Sequence, residues 1–316
     1  MSSAPAVVVI ASWNVDLCLR VERQPQRGET ITGQGFTTSP GGKGSNAAIA
    51  AARQGAAVAV IARIGDDDFG RMGLDLWSRE GIDIAAVTQA SGERSGVAQI
   101  LIYPDGDNSI VVAPGANTGL DATLVGRAAS LICQARVVIA NFEVPLEAIR
   151  EAFTLARQAG ALTVLNPAPA RACLPSELAG LVDLLTPNET EAATLTGGTG
   201  EIADQAQRLI DQGVGAVLIT RGTQGVSLFH GREEPLHIDG HPMQVQDTIG
   251  AGDTFNGALA AALSQGCGLE AAARIGNAAA ALSVSKAGAI AGMPGRDAVA
   301  ALLGDGPLVV SPRRER

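Results

Sequence analysis

Two carboxylates, Asp247 and Asp253, bracket a turn of small residues in D-T-I-G-A-G-D-T-F-N-G (247–257), and an alanine-rich run follows. Glycine at 250 and 252 lets another group come close to the main chain. From Asp253 onward the chain has good helix formers, with apolar residues at helical spacing (Phe255, Leu259, Ala262, Leu263). The first amides of such a helix lack internal acceptors and its dipole favours negative charge, so the turn Gly250, Ala251, Gly252 suits a phosphate. An acid beside a reacting phosphoryl group is placed to take a proton from an incoming hydroxyl, which is one reading of Asp253. The other is that Asp253 caps the helix.

More polar residues collect where strands are expected to end. Asn14 and Asp16 follow the first apolar run, and Glu143 follows R-V-V-I-A (136–140). Gly41, Gly42 and Gly44 bracket Lys43 at the start of a helical stretch that carries Asn46 on its first turn. Singly, each reads as a cap or a turn residue. Jointly, short amide, carboxylate and ammonium groups suit a compact polyhydroxylated ligand, which needs donors and acceptors at fixed spacing.

The elements that must position these groups alternate between strand and helix. Short β-branched runs at 6–11, 58–64, 136–140, 162–166, 181–186 and 216–220 read as strands buried on both faces. Helical stretches fall at 43–54, 69–80, 121–133, 145–159 and 201–212. The alternation predicts a doubly wound α/β fold, a mainly parallel sheet with helices on both faces. Residues 15–39 and 96–113 interrupt the rhythm, the second as a hairpin around Pro104-Asp105-Gly106-Asp107, and together they suggest a small β excursion. The hairpin's Val97, Ile100, Ile102, Ile110 and Val112 need cover, either over a pocket as a lid or against a partner subunit. The tail 311–316 is expected to fray.

Several functions are disfavoured. Gly41-Gly42-Lys43-Gly44-Ser45 is not a P-loop, because no Ser or Thr follows the lysine and Thr37 occupies the place of the first glycine. No G-x-G-x-x-G follows the first strand, which excludes a Rossmann dinucleotide site. His230, His237 and His241 show no ligand pattern and read as surface or structural residues. The net charge of −9 argues against nucleic acid or an anionic membrane as a partner. With 46% hydrophobic and 17% charged residues a large core is available, and with 3% aromatics it must be aliphatic. Cys18, Cys133, Cys173 and Cys267 have no paired spacing and read as free thiols. No signal peptide and no membrane span is expected, so a cytoplasmic protein is.

Two stretches in this order, P-G-G-K-G-S-N-A-A (40–48) and D-T-I-G-A-G-D-T-F-N-G (247–257), resemble the signatures of the ribokinase/phosphofructokinase-B family of carbohydrate kinases. The similarity continues through A-S-W-N-V-D (11–16), L-N-P-A-P-A (165–170), T-P-N-E-T-E (186–191) and K-A-G-A (286–289), which is nearly the whole chain. The resemblance implies an α/β body (1–13, 39–95 and 115–316) and a β lid (14–38 and 96–114). It implies transfer of the γ-phosphoryl group of ATP, with Mg²⁺, to a sugar hydroxyl, foremost the 5-hydroxyl of D-ribose. Deoxyribose, fructose or a nucleoside are the rival substrates, and a sensor without turnover is the rival of another class. Asp253 becomes the base, and Gly250, Ala251 and Gly252 the anion hole. Asn14, Asp16, Gly42, Lys43, Asn46 and Glu143 match sugar-binding positions. Thr220, Gly222, Gly225, Gly252, Asn188 and Asn277 match nucleotide positions, with Asn188 and Glu191 meeting Mg²⁺ through water. Asp247 and the carbonyls of Ile249, Ser283, Lys286 and Gly288 match a K⁺ loop, in which Gly292 stands where a serine is common. The missing hydroxyl predicts weaker ion affinity, partly restored by Gly292→Ser. A homodimer formed through the lids is also implied.

Overall fold

The computed structural model describes residues 4–105, 107–198, 200–231 and 234–304. The tail 311–316 and Gly106 of the expected hairpin turn lie outside the described residues. Thirteen strands are present among them, in two sheets. The larger sheet contains β1 (Val7–Ala11), β4 (Val58–Gly65), β5 (Asp83–Ala90), β8 (Val137–Asn141), β9 (Leu162–Asn166), β10 (Leu184–Leu185), β11 (Ala216–Thr220), β12 (Val226–His230) and β13 (Leu236–Ile238). Their spatial order is β13-β12-β11-β10-β9-β8-β1-β4-β5, parallel except that β12 pairs antiparallel with both β11 and β13. The smaller sheet holds β2 (Asn14–Arg20), β3 (Gln34–Gly41), β6 (Gly96–Ile102) and β7 (Asn108–Ala113), in the order β3-β2-β6-β7.

Strand β1 shows why the larger sheet is central. All five residues are buried, and Val7 pairs with Val58 on one side and Val137 on the other. Val7, Val9 and Ala11 join the core on one face, while Val8 and Ile10 join the core on the opposite face. Helices cover both faces. Lys43–Arg53, Ala251–Ser264 and Leu269–Ser283 pack on the first, and Leu146–Gln158 and Ile202–Asp211 on the second. The fold is the expected doubly wound α/β body with a separate four-stranded sheet.

Small residues let two of these helices approach closely. A Cβ on Gly257 would stand 2.3 Å from the carbonyl oxygen of Ala47 and 2.6 Å from the Ala50 methyl group. The helix that carries Asn46 is thereby held against the helix that carries Asp253.

Two expected elements differ. The helix foreseen at 121–133 is split into Ala122–Arg127 and Ala129–Gln134 where Ala128 leaves helical geometry, two residues after Gly126 weakens the run. The strand foreseen at 181–186 shortens to Leu184–Leu185. Beside it the Asp183 carboxylate accepts from the Thr163 amide at 2.9 Å, so a side chain takes the place of the ladder.

Candidate active site

The carboxyl ends of β1 and β8 and the start of helix Lys43–Arg53 meet at one acid. Glu143 Oε2 accepts from Ser12 Oγ (2.6 Å), the Lys43 amide (2.9 Å) and Asn14 Nδ2 (3.5 Å). A carboxylate at a helix start is favoured by the free amides there. Burial pushes the Glu143 carboxyl upward, and Ser12 and Lys43 oppose the shift.

Asp253 sits on the first turn of Ala251–Ser264, but it does not cap that helix. The cap is Gly250, at φ 76 in the left-handed region, with no side-chain bond. The Asp253 carboxylate is instead buried and accepts from Asn46 Nδ2 at 2.8 Å. The other end of that amide, Asn46 Oδ1, is buried without a partner. An orphaned acceptor at that depth is costly unless something donates to it.

A cavity of about 530 Å³ lies against these groups. Asn14, Asp16, Gly42, Lys43, Asn46, Glu143, Gly250 and Asp253 are among its lining, so all six residues matched to sugar binding are brought together. Its apolar lining is Ala98, Ile100, Ile110 and Val112 of the small sheet with Phe142, Pro114, Pro169 and Ile249, and Asn117 lines it as well. Asp16 is pushed up to about 6 by burial, then by Glu143 and Asp253, with Lys43 acting against the rise. Lys43 is raised, chiefly by Asp253, so its charge persists among the three acids.

A second cavity, of about 540 Å³, lies on the far side of the same helix start. Thr220, Gly222, Gly225, Ala251, Gly252 and Asn277 line it, as do His241, Phe255 and three residues the sequence did not single out, Thr223, Met243 and Thr248. His241, expected to be a surface or structural residue, is half-buried in the wall of this cavity. Asn277 Nδ2 donates to the Asp239 carbonyl at 2.8 Å. The two cavities meet at residues 250–253. Gly252 is exposed, with nothing within 4 Å of where a Cβ would stand.

Asn188 and Glu191 are outside both sets of lining residues. They form a reciprocal capping box, Glu191 N donating to Asn188 Oδ1 (2.8 Å) and Asn188 N to Glu191 Oε2 (2.9 Å). Burial raises the Glu191 carboxyl, and Lys43 and Asp253 both act on it, so it shares the field of the first cavity.

Behind the helix start, Asp247 joins two loops. Its carboxylate accepts from the amides of Ile249 (2.9 Å) and Gly288 (2.8 Å). Gly292 faces the same loop, where a Cβ would stand 2.3 Å from the Ser283 carbonyl oxygen and 3.5 Å from that of Lys286. The expected gain from Gly292→Ser is therefore overturned: its Cβ collides with a backbone oxygen before its hydroxyl can reach an ion. Arg53 braces this segment, Nη1 donating to the carbonyls of Ile290 (2.6 Å) and Met293 (3.1 Å) while the guanidinium pairs with Glu80.

A doubly wound body with two cavities meeting at one helix start suits phosphoryl transfer between two bound ligands. The sequence profile of the pfkB family carbohydrate kinases matches residues 4–296. The chain is 40% identical over 296 residues to a ribokinase of Haemophilus influenzae, covering 92% of this chain and 95% of that one. It is 39% identical over 297 residues to a ribokinase of Bacillus subtilis, covering 94% and 99%. A solved structure of Arabidopsis thaliana ribokinase complexed with ribose and ATP superposes with a TM-score of 0.90 at 33% identity, covering 96% of this chain and all of that one. The chain belongs to the pfkB family of carbohydrate kinases and is an ATP-dependent sugar kinase.

Proposed function

We propose that this kinase transfers the γ-phosphoryl group of ATP to the 5-hydroxyl of D-ribose. The observation that carries the reading is the first cavity, where Asn14, Asp16, Lys43, Asn46, Glu143 and Asp253 converge beside apolar residues of the small sheet. Such a ring of short donors and acceptors fits a small polyol, and a nucleoside's base would have to stand against it. The ribokinases named above support the choice of sugar.

Asp253 takes the hydroxyl proton, held in place by Asn46. The turn Gly250, Ala251 and Gly252 is the anion hole; the Ala251 amide donates to the Thr248 carbonyl at 3.2 Å, which leaves the amides of Gly252 and of the neighbouring Asp253, without acceptors inside the helix, for the phosphoryl group. Lys43 offsets the three acids, and the lid residues exclude water. Mg²⁺ comes with the phosphates and neutralises their charge. No group of three or more His, Cys, Asp or Glu able to hold a metal occurs among the described residues, and Asn188 and Glu191 would meet Mg²⁺ through water.

Backbone carbonyls gathered at Gly292 support a K⁺ site: those of Ser283 and Lys286 lie 2.3 and 3.5 Å from where a Cβ at 292 would stand, and hard oxygen donors suit a monovalent cation. Asp247 and the carbonyls of Ile249, Ser283, Lys286 and Gly288 would hold it, and Gly292 leaves it room. K⁺ supplies positive charge behind the Gly250 turn. The enzyme acts as a homodimer through its lids, in the cytoplasm; no helix among the described residues is long and apolar enough to cross a membrane.

The test is ADP release with pentoses, deoxypentoses, hexoses and nucleosides as acceptors. D-ribose is expected to give the highest kcat/KM. A higher value with deoxyribose, fructose or a nucleoside would replace the assignment, and binding without ADP release would make the protein a sensor.

A further inference from the structure

Asn117 follows the last lid strand, in a short turn Gly115–Gly119, and is 2% exposed. Its side chain grips both backbone groups of Trp13, accepting from the Trp13 amide at 2.9 Å and donating to the Trp13 carbonyl at 2.8 Å. It thus does for Trp13 what a neighbouring strand would do. Trp13 lies between β1 and β2, where the chain leaves the body for the lid. The same Nδ2 donates to the carbonyl of Pro114 at 2.8 Å, where the chain comes back. A third crossing begins at Gly96, where a Cβ would stand 2.0 Å from Asn14 Oδ1 and 2.5 Å from Asn117 Nδ2. Three of the joints between lid and body therefore converge on one amide.

That amide also fixes a neighbour. A backbone N–H can only donate and a backbone carbonyl can only accept, so contact with both groups of Trp13 sets which end of Asn117 is oxygen. Its Nδ2 then has two protons for three acceptors, the carbonyls of Trp13 and Pro114 at 2.8 Å and Asn14 Oδ1 at 3.0 Å, so the donation to Asn14 is a shared one. With its oxygen occupied, Asn14 turns Nδ2 toward Glu143 and the first cavity.

We infer that Asn117 is a positioning residue for the sugar: it makes Asn14 a donor toward the ligand. The inference rests on the reading of the first cavity as the sugar site. Asn117→Asp keeps the acceptor for the Trp13 amide and loses the donation, which frees Asn14 to turn its oxygen inward.

The experiment is steady-state kinetics with D-ribose for the wild type, Asn14→Ala, Asn117→Asp, Asn117→Ala and the Asn14→Ala/Asn117→Ala double variant. Asn117→Asp and Asn117→Ala are expected to raise the sugar KM by about 10–100-fold, with a smaller change in kcat and an unchanged KM for ATP. The double variant is expected to be no worse in sugar KM than Asn14→Ala, because Asn117 acts through Asn14. A purely structural role would instead lower kcat through loss of active protein at constant KM. Should the Asn117 variants not fold, Gly96→Ala reads out the same contact and is expected to raise the sugar KM alone. Additive effects, or a Gly96→Ala variant with normal sugar KM, overturn the inference while the sugar assignment stands. A wild type inert toward every sugar removes both.

Discussion

Asp253 combines three properties seldom found together in a carboxylate at a helix start: it is buried, it does not cap, and its one observed partner is an amide donor, Asn46. Replacing it with Asn keeps shape and volume and removes the carboxylate proposed as the proton acceptor. Asp253→Asn is expected to lower kcat by about 10²–10⁴-fold with sugar affinity nearly unchanged, measured by ADP release and by titration calorimetry. Lys43 lines the first cavity and is absent from the lining of the second. Lys43→Ala is accordingly expected to weaken sugar binding while ATP binding persists; a selective loss of ATP affinity would reverse that placement. Asp16 carries a signed consequence for stability. Its folded value of about 6 lies above the reference 3.8, so the native state holds this proton more tightly than the unfolded chain does. The associated stability is present below about pH 4 and is lost as pH rises through about 6. Asp16→Asn is therefore expected to raise the unliganded Tm at pH 7 by about 1–4 °C and to leave it unchanged near pH 3.5, although sugar binding suffers. Thermal scans at the two pH values check the sign.

At the scale of elements, the site depends on how closely two helices can lie. Gly257 touches the backbone at Ala47, so Gly257→Ala must separate the helix of Asn46 from that of Asp253. A drop in both Tm and kcat is expected, whereas Gly252→Ala, which points into open space, should fold normally and lose activity alone. Circular dichroism beside ADP release distinguishes the two. Much of this layer was legible beforehand. The buried runs at 58–64, 162–166 and 216–220 became β4, β9 and β11, because β-branched and aliphatic residues packed on both faces leave little choice. Strand β5 was not foreseen: D-I-A-A-V-T-Q-A has weak β propensity, and an edge strand pairs on one side only. The polar ring of the first cavity was visible as residues at strand ends. Asn117 was not, because a lone Asn in G-A-N-T-G reads as a turn until its four contacts are seen. The collision at Gly292 was equally hidden, since the Ser283 carbonyl that causes it is a backbone group.

For the whole molecule, the lid leaves apolar surface uncovered: Phe36 is 62% exposed and Val111 71%. Both lie on its edge strands, β3 and β7, which carry the unpaired rows of the sheet. Pairing two lids covers them, and sedimentation at micromolar concentration is expected to give a dimer; Phe36→Glu with Val111→Lys should give a monomer. The initial rate at constant ionic strength is expected to be higher in KCl than in NaCl, and Gly292→Ser is expected to reduce that difference.

The meeting of the two cavities at residues 250–253 has a further consequence for ligand design. Because one helix start borders both, a single molecule that tethers adenosine to the sugar through a short polyphosphate would thread past Gly252 and occupy both halves at once. The second half would then bind at an effective concentration set by the tether, so affinity should exceed that of either half by about 10²–10⁴-fold when the span is matched and fall once the tether is a phosphate too short. The length that binds best would act as a ruler for the distance over which the phosphoryl group travels.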